Sequence, residues 1–310
     1  MAFAMGLSLF VSSCNDSEEN GIDDARGELV PVVFDSPSIS KITRATETEF
    51  ESGDKLSITA VNKTLTGSDN IEVKNYADNV KYVSNGTEFT AESHPIYQYY
   101  KQERCQYELA YYAVFPYKEN NRGAQFTFTV NSDQHTHNSF SQSDLSMQKI
   151  TSKDVMVDLD LKHMLCNVEI VIKGNNLSNT TFSNAQLINM CSSVNADQIT
   201  QTVTTNESER HDVVNCEMMG KTTKEYRFHA IVAPQTIEAN QLLATIVING
   251  SAKSLQLVNA VTLKSGCKYV FACNLDGNAV GSNLNVGFGG VDDDGNQIPA
   301  ARMISTSEWE

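Results

Sequence analysis

The sequence predicts an all-β chain folded as two antiparallel β-sandwich domains in tandem. Three observations carry that expectation. Apolar and polar residues alternate along many short segments, the period of a half-buried strand. Turn chemistry separates those segments, and no stretch sustains helical periodicity over a dozen residues. The length of 310 residues, at roughly 150 per domain, is enough for two cores. Many short strands with polar turns point to sandwiches.

The elements follow in order. Residues 29–34 (LVPVVF) form the first strand. Pro31 lies inside it, and proline confines a strand to an edge or a bulge. Residues 55–61 form the next, and Asn85-Gly86 marks a hairpin because both residues tolerate positive φ. The apolar run 107–115 suits a strand buried on both faces. In 125–130, Phe126, Phe128 and Val130 alternate against Thr127 and Thr129. Residues 131–153 read as a polar loop. Strand signals resume at Val155, so the domain boundary is placed at 154/155.

In the second half, 155–161 reads as a strand, and Val168, Ile170 and Ile172 alternate against Glu169 and Lys173. Residues 185–190 fit a short helix or a strand equally. The stretch 201–224 is polar and reads as a surface excursion with little fixed structure. Tyr226, Phe228, Ala230 and Val232 alternate against Arg227 and His229. Residues 242–248 and 254–257 follow, with Asn249-Gly250 as a hairpin turn. Residues 268–274 form the last strand before a Gly- and Asp-rich tail.

The net charge of −15 repels phosphate and excludes nucleic acid as a natural partner. The only long apolar run is 2–11 (AFAMGLSLFV). A bilayer span takes about 20 residues, so this run suits the h-region of a secretory signal. No Lys or Arg precedes it. Ser12 and Ser13 then precede Cys14, and two small residues before a cysteine are what lipoprotein signal peptidase accepts. Cys14 is thus the expected lipidation site, tying the chain to the outer membrane. The residues after it are polar and acidic. Setting Cys14 aside leaves six of seven cysteines. Six allow fifteen pairings, and sequence does not choose among them. Buried free thiols are an equal reading.

Several motifs then line up in order. Phe50-Glu51-Ser52-Gly53-Asp54 resembles the aromatic-x-x-Gly-Asp opening of the first domain in Bacteroidales fimbrillins. Tyr111 to Tyr117 (YYAVFPY) resembles their "AYYPY" strand. Asp133-Gln134 and Ser143-Asp144-Leu145 are similar to the markers that follow it. Leu161-Lys162-His163-Met164-Leu165 is similar to "FKH-x-L", Val232 to Ile237 (VAPQTI) to "VPQT-hydrophobic", and Gly266-Cys267-Lys268-Tyr269 to "G-x-x-Y". Together they cover about residues 44–275. The resemblance implies two transthyretin-like antiparallel β-sandwich domains in tandem. With the residue patterns above, it gives a signal peptide (1–13), an acidic tether with a removable strand (14–44), an N-terminal domain (45–154) and a C-terminal domain with its tail (155–310).

The resemblance also implies a function. The chain would be a structural, adhesive subunit of cell-surface fimbriae, exported as a lipoprotein and assembled by protease-triggered strand exchange. Cleavage is expected at Arg44-Ala45, with Arg26 and Lys41 as competitors. Removing the first strand would uncover apolar surface and unpaired backbone groups, which a strand of another subunit would cover by β-addition. Residues 303–309, with Met303, Ile304 and Trp309, are donor candidates, as are 284–288. A tail folded on its own domain is the alternative. Two further readings stay open. One is a standalone surface lipoprotein that binds a glycan or host ligand. The other is a subunit that keeps its lipid as an anchor. Partners would be other fimbrial subunits and a host or bacterial surface receptor.

No catalytic residue, cofactor or metal is implied. His135 and His137 lack a third ligand nearby in sequence. Asp292-Asp293-Asp294-Gly295 lacks the Glu that closes a calcium loop. Asp158 and Asp160 share a face that alternation marks as wet. No nucleophile elbow, Walker loop or dinucleotide turn is present.

Overall fold

The computed structural model describes residues 27–35 and 50–275 except 73, together with the backbone of 288–289 and 301–305. Two β units lie along the chain, joined by a small third sheet. In the first unit, eight strands form one sheet. Their order is Met156–Asp158, Val33–Asp35, Glu88–Ala91, Ala77–Ser84, Lys55–Asn62, Leu109–Phe115, Ser146–Ser152 and Lys162–His163. Glu28–Pro31, Tyr97–Lys101 and Arg104–Cys105 form a three-stranded sheet. Phe34, Leu56, Ile58, Tyr82, Phe89, Leu109 and Tyr111 fill the core. Alternation in Lys55–Asn62 sends Leu56, Ile58 and Ala60 to this core, while Val61 joins Ala110 and Tyr112 on the opposite face.

The second unit is a sandwich of two five-stranded sheets. One runs Glu217–Lys221, Glu225–Val232, Cys166–Lys173, Lys268–Asn274 and Phe288–Gly289. The other runs Arg210–Asn215, Phe182–Cys191, Leu242–Ile248, Ser251–Leu257 and Ala301–Ser305. Val168, Ile170, Ile172, Leu187, Phe228, Ile246, Leu255 and Phe271 pack between them. Asn249 (φ 50°) and Gly250 (φ 78°) turn the hairpin between Leu242–Ile248 and Ser251–Leu257, as their sequence signal implies.

The units meet at a seam. Gln125–Thr129 pairs not with the first sheet but with Ser193–Asp197, which pairs in turn with Thr202–Thr205. Phe126, Phe128, Leu145, Met147, Leu165 and Ile231 pack together there. Gln134 is fully buried. Its side chain accepts from the Ile231 N–H and donates to the Ile231 carbonyl, both at 2.8 Å. The amide thereby satisfies an edge as a neighbouring strand would.

Three sequence expectations change and one open choice is settled. The boundary at 154/155 falls inside the first sheet. Met156–Asp158 pairs with Val33–Asp35, Lys162–His163 pairs with Ser146–Ser152, and Val157, Leu159 and Leu161 enter the first core. The polar loop 131–153 holds a helical turn, His137–Ser141, under a Thr136/Ser139 capping box, and then the strand Ser146–Ser152. The stretch 201–224 holds three strands, Thr202–Thr205, Arg210–Asn215 and Glu217–Lys221. Their side chains are polar because one face meets water, yet their backbones pair with buried neighbours. Residues 185–190 belong to the strand Phe182–Cys191.

Among the described residues, pairing is antiparallel except in two ladders and in one isolated bridge, Asp133 to Asn215. Val33–Asp35 runs parallel to Met156–Asp158, and Cys166–Lys173 runs parallel to Lys268–Asn274.

Candidate functional site: the slot of the first strand

The first strand changes sheets at its proline. Glu28–Pro31 lies on the outer edge of the small sheet, antiparallel to Tyr97–Lys101. Pro31 ends that stretch and so costs the ladder little. The chain then enters the large sheet as Val33–Asp35, between Glu88–Ala91 and Met156–Asp158. The edge position expected from Pro31 therefore holds for 28–31, whereas 33–35 is interior.

Two side chains plug the core from this strand. Val32 and Phe34 are 1% and 0% exposed. The Phe34 ring meets Tyr82 and Tyr111 edge-on at 4.9 and 5.2 Å, the geometry that aromatic quadrupoles favour. Burying two such side chains contributes about 3–6 kcal/mol together. Backbone bonds fix the register. Val32 N–H donates to Ile96 O and Val33 N–H to Val155 O, each at 2.8 Å. The Tyr82 hydroxyl donates to Val32 O and accepts from Ile96 N–H, both at 3.2 Å. Burial pushes the Tyr82 and Tyr111 phenols well above their ordinary range, so both stay neutral. The other half of the strand is wet, and Leu29 is 51% exposed.

The sequence motifs have local physical roles. Phe50 packs edge-on against Phe89 and Phe115. Gly53 turns at φ 100°, and its N–H donates to Ser84 O. The Asp54 carboxylate accepts from Glu51 N–H at 2.9 Å. The Ser143 hydroxyl accepts from Asn131 N–H and donates to Ser139 O. Asp144 and His163 meet at 2.8 Å. Buried Gln235 accepts from Cys191 N–H at 3.0 Å. The Tyr269 hydroxyl donates to Thr262 O and accepts from Lys264 N–H. These motifs build turns and brace the seam.

Of the expected sites, Cys14, Arg44, Ala45 and Trp309 lie outside the described residues, as do the alternatives Arg26 and Lys41. Met303 and Ile304 sit in Ala301–Ser305, antiparallel to Ser251–Leu257 and opposite Leu255 and Ser254. In this chain the strand therefore covers an edge of its own second unit. Phe288 pairs with Ala272. Asp133 holds His135 at 2.6 Å. His137 lies 3.7 Å from both Glu51 and Glu217. The six cysteines after Cys14 are buried thiols with no disulfide among them. Burial pushes Cys216 and Cys273 up to about 12.

The profile of the fimbrillin-like family matches residues 43–287. The chain belongs to the fimbrillin-like family. Membership makes it a non-enzymatic structural subunit of a cell-surface appendage. Comparison with curated proteins gives no match. Among solved structures, a candidate cell adhesion protein from Bacteroides uniformis shares 17% identity. That alignment covers 89% of this chain and 97% of that one, with a TM-score of 0.57. A candidate cell adhesion protein from Bacteroides ovatus shares 14% identity over 90% and 96% of the two chains, with a TM-score of 0.61. At these identities the likeness is one of fold.

Sequence reading found the first strand and expected its removal, but placed it at an edge, whereas 33–35 is interior. It also missed the seam, because the pairing of Gln125–Thr129 with Ser193–Asp197 leaves no local mark. The Asp133-Gln134 pair, marked only through the family resemblance, was a signal that the sequence did offer.

Proposed function

We propose that this fimbrillin-like chain is an adhesive subunit of cell-surface fimbriae. It travels as a lipoprotein acylated on Cys14, loses residues through Arg44 to a trypsin-like protease, and accepts a strand of the next subunit where Val33–Asp35 sat. One observation carries the reading: a strand from the chain's start lies between two strands of the large sheet, with Val32 and Phe34 in the core. Losing it opens two sheet edges and an apolar hole, and β-addition by a partner strand repairs both. The donor would come from the C-terminal region, with Met303, Ile304 and Trp309 as candidates, after leaving the edge of Ser251–Leu257.

The deciding experiment is the intact mass of the protein taken from the native cell surface. A chain beginning at Ala45 without lipid is the expected result. A triacylated chain beginning at Cys14 would refute trimming and favour an anchor or a standalone lipoprotein. Replacing Arg44 with Ala should block maturation, and unchanged processing would move the cut to Arg26 or Lys41.

A further inference from the structure

A concavity lies on the second unit, away from the strand slot. It measures about 260 Å3, just under the roughly 300 Å3 at which drug-sized pockets begin. That is room for one sugar ring rather than a chain. It forms where the edge strand Arg210–Asn215 and its neighbour Phe182–Cys191 face the short strand Gln235–Ile237 and residues 241–242.

Its chemistry is uneven in a useful way. Ile188, Ile237 and Leu242 supply the smaller, apolar part of the lining, and the rest is polar. Arg210 is held in place, because its Nη1 donates to Asn189 O at 2.7 Å and to Gln235 Oε1 at 3.4 Å. Asn189 takes φ 54°, interrupting the ladder so that its carbonyl reaches the guanidinium. Gln235, 5% exposed, is itself locked by Cys191 N–H and Ala233 O. The remaining edge of the guanidinium meets only Glu207 at 3.4 Å. That carboxylate is 71% exposed, and such a surface pair contributes little. Among the described residues, the side-chain amides of Asn189 and Gln241 have no hydrogen-bond partner. Thr236, whose hydroxyl is shared with that of Thr262, also lines the pocket.

We propose that this pocket binds a carboxylated sugar of monosaccharide size, such as the terminal acidic residue of a glycan. A planar, pre-positioned guanidinium matches a carboxylate fork to fork. Two unpaired amides and a hydroxyl suit ring hydroxyls, which both donate and accept. The partly exposed Ile188 and Leu242 suit contact with C–H groups of a sugar. The chain's net charge of −15 acts at a distance and is screened within about 8 Å at physiological salt, whereas the fork contact is direct. This inference deepens the adhesion reading and rests on it, naming the ligand class and the surface that would take it.

The test is ligand-detected NMR on the full chain as a soluble monomer. The probes are glucuronic acid and N-acetylneuraminic acid at millimolar concentration, with glucose and acetate as controls. Both acids, or one of them, should bind while glucose and acetate do not. The preferred acid then identifies a uronate-bearing or a sialylated glycan as the source. Arg210→Gln should weaken binding by about tenfold or more, the loss expected of a charge-assisted hydrogen bond. Because Arg210 also braces Asn189, a second variant is needed. Gln241→Ala alters an exposed side chain and should weaken binding by about threefold to tenfold with the melting temperature unchanged. No binding of either acid, equal binding of glucose, or binding indifferent to both variants overturns the proposal. A chain that is trimmed and polymerises but binds no acidic sugar overturns the pocket alone. One that binds acidic sugars but keeps its residues before Ala45 overturns trimming alone.

Discussion

Replacing Phe34 with Ala tests how much the first strand matters to the first unit. The ring is fully buried and contacts two buried tyrosine rings at 4.9 and 5.2 Å. Such a truncation costs about 3–5 kcal/mol, the transfer loss plus the cavity it leaves. Leu29, five residues earlier and 51% exposed, should cost no more than about 0.5 kcal/mol on the same change. The contrast within one strand separates plugging from mere pairing. Urea unfolding followed by hydrogen exchange is the assay, read at Leu109–Phe115 for the first unit and at Cys166–Lys173 for the second. With a slope of about 2 kcal/mol per molar urea, the first-unit midpoint should fall by about 2 M. A shift below about 0.5 M, or equal losses for Phe34→Ala and Leu29→Ala, would refute the claim that this strand is a core element. Adding a peptide of residues 28–35 to a chain cut after Arg44 should restore the lost protection.

Other outcomes follow from the same geometry. Glu169 is fully buried and lies 2.5 Å from Arg227 Nη1 and 2.6 Å from Lys268 Nζ, the latter outside hydrogen-bond geometry. Glu169→Ala should cost about 3–5 kcal/mol, because Lys268 is only 11% exposed; calorimetric melting would show it. Gln134→Ala should cost about 1–3 kcal/mol by leaving Ile231's buried backbone groups unpaired, with exchange rising first at the seam. Asp197 accepts from Thr200 and Ile199 N–H groups and from Gln125 Nε2, and these bonds, Thr200's foremost, lower its pKa below 3.8. Its contribution is present above the unfolded value and lost as pH falls through the folded one. Melting temperature should therefore drop on acidification below about pH 4, and Asp197→Asn should flatten that part of the profile. Burial holds the Cys216 and Cys273 thiols near 12, so a thiol reagent at pH 8 should leave both unmodified until denaturant is added; labelling of the native chain would contradict their burial.

Much of the fold was legible because alternation is a local property. Val168, Ile170 and Ile172 announce a face in their own spacing, and Asn249-Gly250 announces its hairpin. Pairing is not local. Met156–Asp158 reads as a strand, but nothing in it says that its partner is Val33–Asp35, so the boundary was drawn too early. The three strands within 201–224 were hidden for a related reason. Thr202–Thr205 and Arg210–Asn215 hold few apolar residues because their neighbours, Ser193–Asp197 and Phe182–Cys191, carry the burial. The slot was half visible. The apolar character of Val32 and Phe34 marked a strand, whereas its interior position depends on residues far along the chain. Only Gln235, Thr236 and Ile237 of the pocket around Arg210 lie in a sequence motif, since its side chains come from four separate segments.

The place of Val33–Asp35 has a sense of direction. One neighbour, Glu88–Ala91, meets it antiparallel, and the other, Met156–Asp158, meets it parallel. Any segment that occupies this position must run the same way to satisfy both ladders at once, because reversing it would swap both pairing modes. The slot thus reads polarity as well as shape. Subunits joined through it would all point one way, and a filament so built would have a distinct base and tip.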